Sequence, residues 1–182
     1  MSDFIHLHTH SEFSLLDGLG KLDHLIERAK SFGMDALAVT DHGSMYGSFK
    51  FYLKAKAAGI KPIIGVETYV ARRSRFDKEG KIDTDPYHLI LLAKNETGYK
   101  NLMKLVTIAN LEGYYYKPRI DFETLKAHHE GLICTSACVQ GQLGSLLREG
   151  KTKEAEKVAA EYAELFGPDH YYIEIQKHPH IP

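Results

Sequence analysis

Short apolar strands alternate with amphipathic helices along most of this chain, and this order limits its fold more than any other feature. Residues 4–10 alternate apolar and polar side chains with a period of two, which predicts a half-buried strand. Apolar residues at helical spacing over 21–32 predict a helix, and residues 35–40 predict a buried strand. The order strand, helix, strand favours parallel strands joined by right-handed crossovers.

The alternation continues along the rest of the chain. Further strands are predicted at 62–66, 88–93, 131–135 and 171–175, and further helices at roughly 45–58, behind Thr97 as N-cap, near 123–129, at 140–149 and at 152–166. Residues 68–87 interrupt the pattern with many charges, and we expect an exposed excursion there. Six predicted strands fit either an open α/β sheet or a barrel that is cut short, because an eight-stranded (β/α) barrel takes about 250 residues.

The composition excludes several classes of protein. With 182 residues and 43% hydrophobic side chains, the chain is long enough for one domain with a substantial core. No apolar run approaches the roughly 18 residues of a membrane span. Two cysteines are too few for a secreted disulfide framework, so we expect a cytoplasmic protein without a membrane partner. A net charge of −1 gives no overall electrostatic case for nucleic-acid binding.

Polar residues that can bind metals follow several of the predicted strands. His8 and His10 close the first strand, Asp41 and His42 follow the second, and Glu67 follows the third. Because the carboxyl ends of parallel strands meet at one edge of the sheet, we expect these side chains to converge. Histidines gathered at a strand end are more typical of a metal site than of a hydrophobic core.

Three nearby residues allow more than one interpretation. Asp17 is either a further ligand or a simple cap of the turn at Gly18. Asp41 is either a ligand or a group that orients a ligand histidine. His6 projects to the same side of its strand as His8, and either supports the site or belongs to the core.

The donor types indicate the metal and the reaction. Imidazoles, carboxylates and a thiolate suit Zn²⁺, Mn²⁺ or iron better than Mg²⁺ or Ca²⁺. More than four candidate ligands imply more than one ion. Two ions roughly 3.5 to 4 Å apart can activate water and hold both the attacking and the leaving oxygen of a phosphoryl group. The residues therefore predict phosphoester hydrolysis.

The stretch from His6 to Gly18, with Thr40-Asp41-His42-Gly43 behind it, resembles the PHP (polymerase and histidinol phosphatase) domain. More narrowly, it resembles the PHP domain at the N-terminus of the alpha subunits of bacterial replicative DNA polymerases. Further matching stretches are 59–67, 88–94, 98–102, 112–114, 117–119 and 131–138.

The resemblance implies a distorted seven-stranded (β/α) barrel whose cleft binds up to three divalent metal ions, with zinc or manganese favoured. The ligand positions that it implies are His8, His10, Asp17, His42, Glu67, His88 and Cys138. Glu67 would be the bridging carboxylate, and Glu67 and Asp41 are the candidate catalytic residues. His88 lies at the start of a strand, so the strand-end argument alone does not find it.

One motif of the family is missing. The family's site is completed by an Asp-x-His motif on a late strand, and no such motif follows residue 138 here. We therefore expect residues 1–182 to be an N-terminal fragment of a PHP domain that lacks its last strand or strands. No polymerase site is expected in this chain.

Three functions are compatible with this resemblance. The first is a metal-dependent phosphoesterase of the 3′–5′ proofreading exonuclease type, with the DNA primer 3′ end, the rest of the polymerase alpha subunit and the replisome subunits as partners. The second is a structural metal-binding scaffold within the polymerase. The third is a stand-alone PHP phosphatase, which the Lys117-Pro118-Arg119 stretch argues against.

A local DNA-binding surface is a separate hypothesis. Arg72, Arg73 and Arg75 could follow the backbone of a single strand, and Tyr115 in the tyrosine-rich loop 113–119 could stack on its bases. The alternative, which the sequence favours, is a solvated loop with ordinary packing.

Overall fold

The computed structural model describes residues 4–15 and 17–177, which form a mixed α/β architecture around one sheet of six strands. The strands are β1 (Ala36–Val39), β2 (Lys61–Val70), β3 (Tyr87–Ala93), β4 (Arg119–Ile120), β5 (Leu132–Thr135) and β6 (Tyr171–Tyr172). The helices are α1 (Leu22–Ser31), α2 (Ser48–Ala57), α3 (Gly80–Thr84), α4 (Glu96–Leu111), α5 (Phe122–Ala127), α6 (Gln142–Arg148) and α7 (Thr152–Phe166). No helix of these residues is both long and apolar enough to cross a membrane.

The sheet is mixed: the parallel pairing expected from the strand-helix-strand order is present between β1 and β2 but does not extend to β3. The strand order is β1-β2-β3-β5-β6, and β4 pairs with β2 outside that path. β1 pairs with β2, and β5 with β6, in parallel, whereas β3 is antiparallel to both of its neighbours. Parallel pairing needs a crossover that packs back on the sheet. The link between β2 and β3 carries only the five-residue helix α3, and the chain turns back on itself.

The segment 4–10 is not a strand, although it lies where the sequence places one. The amide of Ala38 donates to the carbonyl of His6 at 3.0 Å, and the amide of Thr40 donates to that of Thr9 at 2.8 Å. These two bonds hold the segment beside β1 without a continuous ladder. The structure has six strands, as predicted, but not the same six. The segment 4–10 is not a strand, and β4, at the end of the tyrosine-rich loop, was not predicted.

Side-chain contacts link the segment beside β1 to the residues that follow β6, so the two ends of the strand path lie near each other. His8 lies in the segment beside β1, and its Nδ1 donates to Glu174 Oε1 at 2.7 Å. Glu174 follows β6, and its amide donates to the hydroxyl of Ser136 beyond β5 at 2.9 Å. The sequence predicted a strand over 171–175, but the strand ends at Tyr172. The residues after it still contact the first histidines, through Glu174.

One face of the sheet carries a small apolar cluster, and the polar site lies next to it. Ala38, Ile90 and Leu92 are buried in this cluster, and helices cover the other face over two larger clusters. Side chains on β3 alternate in direction, so His88 shares the first face with Ile90. Glu67 is paired with Ile90 across the ladder and lies directly above this cluster.

The charged link between β2 and β3 is less exposed than its composition predicts. β2 continues to Val70, and Asp83 is 1% exposed. Arg119, which is fully buried, donates to the carbonyls of Gly113, Asp83, Arg75 and Asp77. Farther on, Asn95 rather than Thr97 caps α4, because the Asn95 side chain accepts from the amide of Gly98.

Candidate metal centre

Glu67 lies at the centre of a cluster of imidazole rings. It is the seventh of the ten residues of β2 rather than a residue that follows the strand, and it is 1% exposed. Its Oε2 lies 3.0 Å from His8 Nε2, 2.6 Å from His10 Nε2 and 3.4 Å from His42 Nδ1. Its Oε1 lies 2.7 Å from His88 Nδ1. The predicted convergence of these side chains is present in the structure.

His10 is held between two carboxylates. Its Nε2 faces Glu67, and its Nδ1 lies 2.8 Å from Asp17 Oδ2. Asp17 Oδ2 also lies 2.9 Å from His42 Nε2. Its carboxylate therefore contacts two histidines of the cluster and is not only a cap of the turn at Gly18. Gly18 makes this turn possible, because a Cβ at this position would come within 1.7 Å of the carbonyl oxygen of Ser11.

His42 is positioned by the turn that follows it and by the ring of Tyr69. Gly43 has a φ of 59°, which favours glycine, and its amide donates to the carbonyl of Glu67 at 2.9 Å. The ring of Tyr69 stacks on the His42 ring with centroids 5.4 Å apart and an interplanar angle of 7°. This packing fixes the plane of the imidazole beside the carboxylate.

His88 reaches the site because β3 runs in the direction opposite to β2. It pairs with Tyr69, and its ring meets that of Tyr69 edge-on at 5.3 Å. In an antiparallel strand the first residues lie at the carboxyl end of the neighbouring strand. A rule based on the carboxyl ends of strands alone misses a residue at this position.

Three overlapping groups of side chains could each hold a metal ion. They are His8, His10 and Glu67; His10, Asp17 and His42; and His42, Glu67 and His88. Within each group one donor atom per residue lies within 4.8 Å of the others. His10, His42 and Glu67 each belong to two groups, so that ions bound there would share ligands.

Two observations test whether divalent ions fit. His42 Nδ1 is buried and has no hydrogen-bond partner among the described residues, although Glu67 is near enough for an ion to bridge the two. Buried polar atoms without a partner are rare in folded proteins. The donors are imidazoles and carboxylates, which suit Zn²⁺, Mn²⁺ and iron. The residues present therefore fit the cofactor class predicted from the sequence.

The electrostatics show how tightly these groups are coupled. Burial opposes the charging of His8, but hydrogen bonds to Glu174 and Glu67 outweigh it and raise its pKa to about 10. Burial has the same effect on His88, and contacts with Cys138 and Glu67 raise its pKa to about 9. Burial of Glu67 is outweighed by the surrounding imidazoles, which hold its pKa well below the usual range. The pKa of His42, by contrast, is lowered, because burial outweighs the nearby charge of Glu67.

Glu174 is a site residue that the sequence did not indicate. It accepts from His8 Nδ1 and, at 2.6 Å, from the hydroxyl of Thr135. A histidine ligand usually needs such a partner on its other ring nitrogen, which fixes the orientation of the ring. The sequence placed it inside the predicted strand 171–175, so the strand-end argument did not single it out.

Two predicted residues lie beside the three groups rather than within them. Cys138 Sγ is 3.9 Å from His88 Nδ1, and this contact outweighs burial and lowers the pKa of the thiol. The Asp41 carboxylate accepts from the amide and the hydroxyl of Ser11, at 2.6 and 2.8 Å. Asp41 therefore positions the backbone between His10 and Asp17, and its catalytic role stays a prediction.

His6 does not join the site. It is exposed and meets the ring of Phe4 edge-on, with centroids 4.9 Å apart. The alternation of side chains that placed it with His8 requires a regular strand, and this segment is not one.

The predicted DNA-binding arginines all have partners within the chain. Arg72 pairs with Asp85, and Arg73 pairs with Asp83. The Arg75 side chain is 12% exposed and contacts three carboxylates, which belong to Asp121, Glu112 and Glu123. Tyr115 is half-buried and its ring packs on that of Tyr116. These contacts favour the loop-packing alternative, while the DNA-binding role stays a prediction.

Comparison with known proteins gives one family and a set of similar chains. The model of the PHP domain family matches residues 6–178. The DNA polymerase III subunit alpha of Treponema pallidum (strain Nichols) is 56% identical over 176 residues, which cover 96% of this chain and 15% of that protein. The same subunit of Borreliella burgdorferi is 51% identical over 178 residues, which cover 97% of this chain and 15% of that protein.

A solved structure shows a weaker likeness. It is a two-domain protein from Bacteroides vulgatus that contains a predicted PHP-like metal-dependent phosphoesterase, with a TM-score of 0.46 and 17% identity. The match covers 86% of this chain and 48% of that one. This chain spans about 15% of the length of the curated relatives that it matches.

Proposed function

We infer the function from one premise, which is that this chain belongs to the PHP domain family. We propose that it is the PHP domain of a bacterial DNA polymerase III alpha subunit, and that it hydrolyses phosphoesters with bound divalent ions. The identity to two alpha subunits, at 56% and 51%, supports the first part. The convergence of four imidazoles on the buried carboxylate of Glu67 supports the second and carries the proposal.

The ligands in this proposal are those of the three overlapping groups, together with Cys138. Zn²⁺ or Mn²⁺ would be held by His8, His10, Asp17, His42, Glu67, His88 and Cys138. Such ions polarise a phosphoryl oxygen and lower the pKa of water. Glu67, which is shared by two groups, is the proposed bridging ligand.

The other residues of the site orient these ligands. Glu174 accepts from His8 Nδ1 and leaves Nε2 facing Glu67. Asp41 fixes the Ser11 backbone, and Tyr69 covers one side of the His42 ring. Rings held in this way need little rearrangement when a substrate binds.

The proposed substrate is a phosphodiester at the 3′ end of a DNA primer, which is removed in a 3′–5′ proofreading reaction. This reaction would take place in DNA replication, in the cytoplasm, with the remainder of the alpha subunit and the replisome as partners. DNA polymerisation itself would belong to the other parts of such a subunit.

The test measures metal content and hydrolysis on the same samples. Wild-type protein, His10→Ala and Glu67→Gln are loaded with Mn²⁺ or Zn²⁺ and assayed on bis(p-nitrophenyl) phosphate and on a mismatched primer. His24→Ala, at an exposed histidine of α1, is the matched control. We expect both site variants to lose metal and turnover and the control to keep them.

Two results would decide against this function. Turnover that persists in both site variants would mean that the chemistry occurs elsewhere. Bound ions that raise the melting temperature, in a wild-type protein that cleaves neither substrate, would favour the structural scaffold instead.

A further inference from the structure

Lys117 carries a positive charge beside the candidate metal centre, and no carboxylate of the residues that the structure describes pairs with it. Over residues 4–15 and 17–177, no carboxylate oxygen lies within 4.0 Å of its Nζ. The arginines of the nearby link are different, because Arg72, Arg73 and Arg75 are all ion-paired. Lys117 is half-buried, so it can still reach a bound molecule.

The two residues after Lys117 hold its backbone against the site. Pro118 packs on the turn that follows His42, since a Cβ on Gly43 would come within 2.8 Å of Pro118 Cγ. Arg119 is fully buried, and it pairs with Tyr69 in the ladder between β2 and β4. In the Lys117-Pro118-Arg119 stretch, the last two residues thus anchor the backbone, and the Lys117 ammonium has an aromatic ring rather than a carboxylate beside it among the described residues.

The ammonium group of Lys117 lies over the ring of Tyr69, which in turn contacts two of the histidine rings. Its Nζ lies 5.3 Å from the centroid of the Tyr69 ring. That ring stacks on His42 and meets the edge of His88. Lys117 therefore lies one aromatic ring away from two of the proposed metal ligands, although it contacts no ligand atom.

We propose that Lys117 binds a non-bridging phosphate oxygen of the substrate held at the metal centre. This inference rests on the proposed function and assigns a residue that recognises phosphate at the same site. A lysine ammonium is a compact charge that suits a phosphate oxygen. In the proposed function Glu67, Asp17 and the histidines hold the ions, and the Lys117 ammonium would supply a further positive charge for a phosphate oxygen.

The experiment measures the binding of inorganic phosphate to the Mn²⁺-loaded protein by calorimetry. Lys117→Met should weaken phosphate binding about tenfold, as the loss of one charge-assisted contact would, and Lys117→Arg should restore most of it. The control is Lys61→Met, which lies at the opposite end of β2, about 20 Å from Glu67 along the strand. Its phosphate affinity should equal that of the wild type, and bound manganese should be the same in all four proteins.

Three outcomes would overturn the inference. One is a phosphate affinity of Lys117→Met within about twofold of the wild type, since one charged contact should count for more. Another is loss of manganese from Lys117→Met, which would make the lysine a structural support. The third is a wild-type protein that binds no phosphate. Hydrolysis is assayed in parallel, so a protein that binds phosphate through Lys117 but cleaves nothing would refute the proposed function alone.

Discussion

Arg119 is not a proposed metal ligand, but we expect its replacement to destabilise the fold strongly. It is 0% exposed, and its guanidinium donates to four backbone carbonyls at 2.9 to 3.0 Å. Three of the carbonyls belong to the link between β2 and β3, and the fourth to Gly113 after α4. Arg119→Met keeps most of the volume and removes every donor.

The magnitude follows from the bonds that are lost. A hydrogen bond to a charged group contributes about 1.5–3 kcal/mol to the free energy of unfolding. The simple sum of four such bonds is larger than the stability that one residue usually contributes. Burying the charged guanidinium is itself unfavourable, and this desolvation lowers the pKa of Arg119. Methionine carries no charge to desolvate, which offsets part of the loss. We therefore expect a loss of about 3–5 kcal/mol in the free energy of unfolding, similar to breaking a buried charged contact.

Urea unfolding of the metal-free protein, followed by circular dichroism, measures this loss. In a separate thermal unfolding experiment, the melting temperature should fall by about 6–20 °C, given about 2–4 °C for each kcal/mol in a domain of this size. Arg148→Met, at an exposed arginine that ends α6, should unfold like the wild type. A loss below about 1 kcal/mol for Arg119→Met, no more than an average point mutation, would refute the reasoning.

Three further predictions concern the site. Glu174→Gln should lower metal affinity about 10- to 100-fold, because it weakens the bond that orients His8; in a metal titration, an affinity equal to that of the wild type would count against this role. Gly18→Ala should displace the Asp17 turn from Ser11 and weaken both metal binding and stability, by about 1–3 kcal/mol in the latter; unchanged unfolding in urea would contradict the observed contact. The metal-free protein should become less stable as pH rises from about 7 to 10, because folded His8, with its pKa near 10, keeps a proton that the unfolded chain loses near 6.5; a melting temperature that is flat or rising over this range would disprove it.

The position of each strand could be read from the sequence much better than its direction. Hydrophobic periodicity located β1, β2, β3 and β5 to within a few residues, because burial on a sheet is a local pattern. Direction depends on how the connecting segment packs, and the link before β3 gave no helical crossover to detect. The resemblance to a family supplied His88, whereas the strand-end argument could not, since it assumed parallel strands.

The site was predictable where its residues form a dense local pattern. His8, His10 and His42 stand out because histidines at strand ends are rare as core residues. Glu174 and Arg119 carry no such signal, since their partners come from segments far away in the chain. Arg119 binds carbonyls that any sequence provides, and only the folded backbone brings four of them to one place.

The contact between His8 and Glu174 joins residues that are 166 positions apart in the chain. During synthesis the ribosome releases the first histidines long before the glutamate that orients one of them. Closing so large a loop is entropically unfavourable until the strands between have formed, so this contact should be among the last to form. Ion capture with the full ligand geometry would then be a late event in the maturation of the nascent polypeptide.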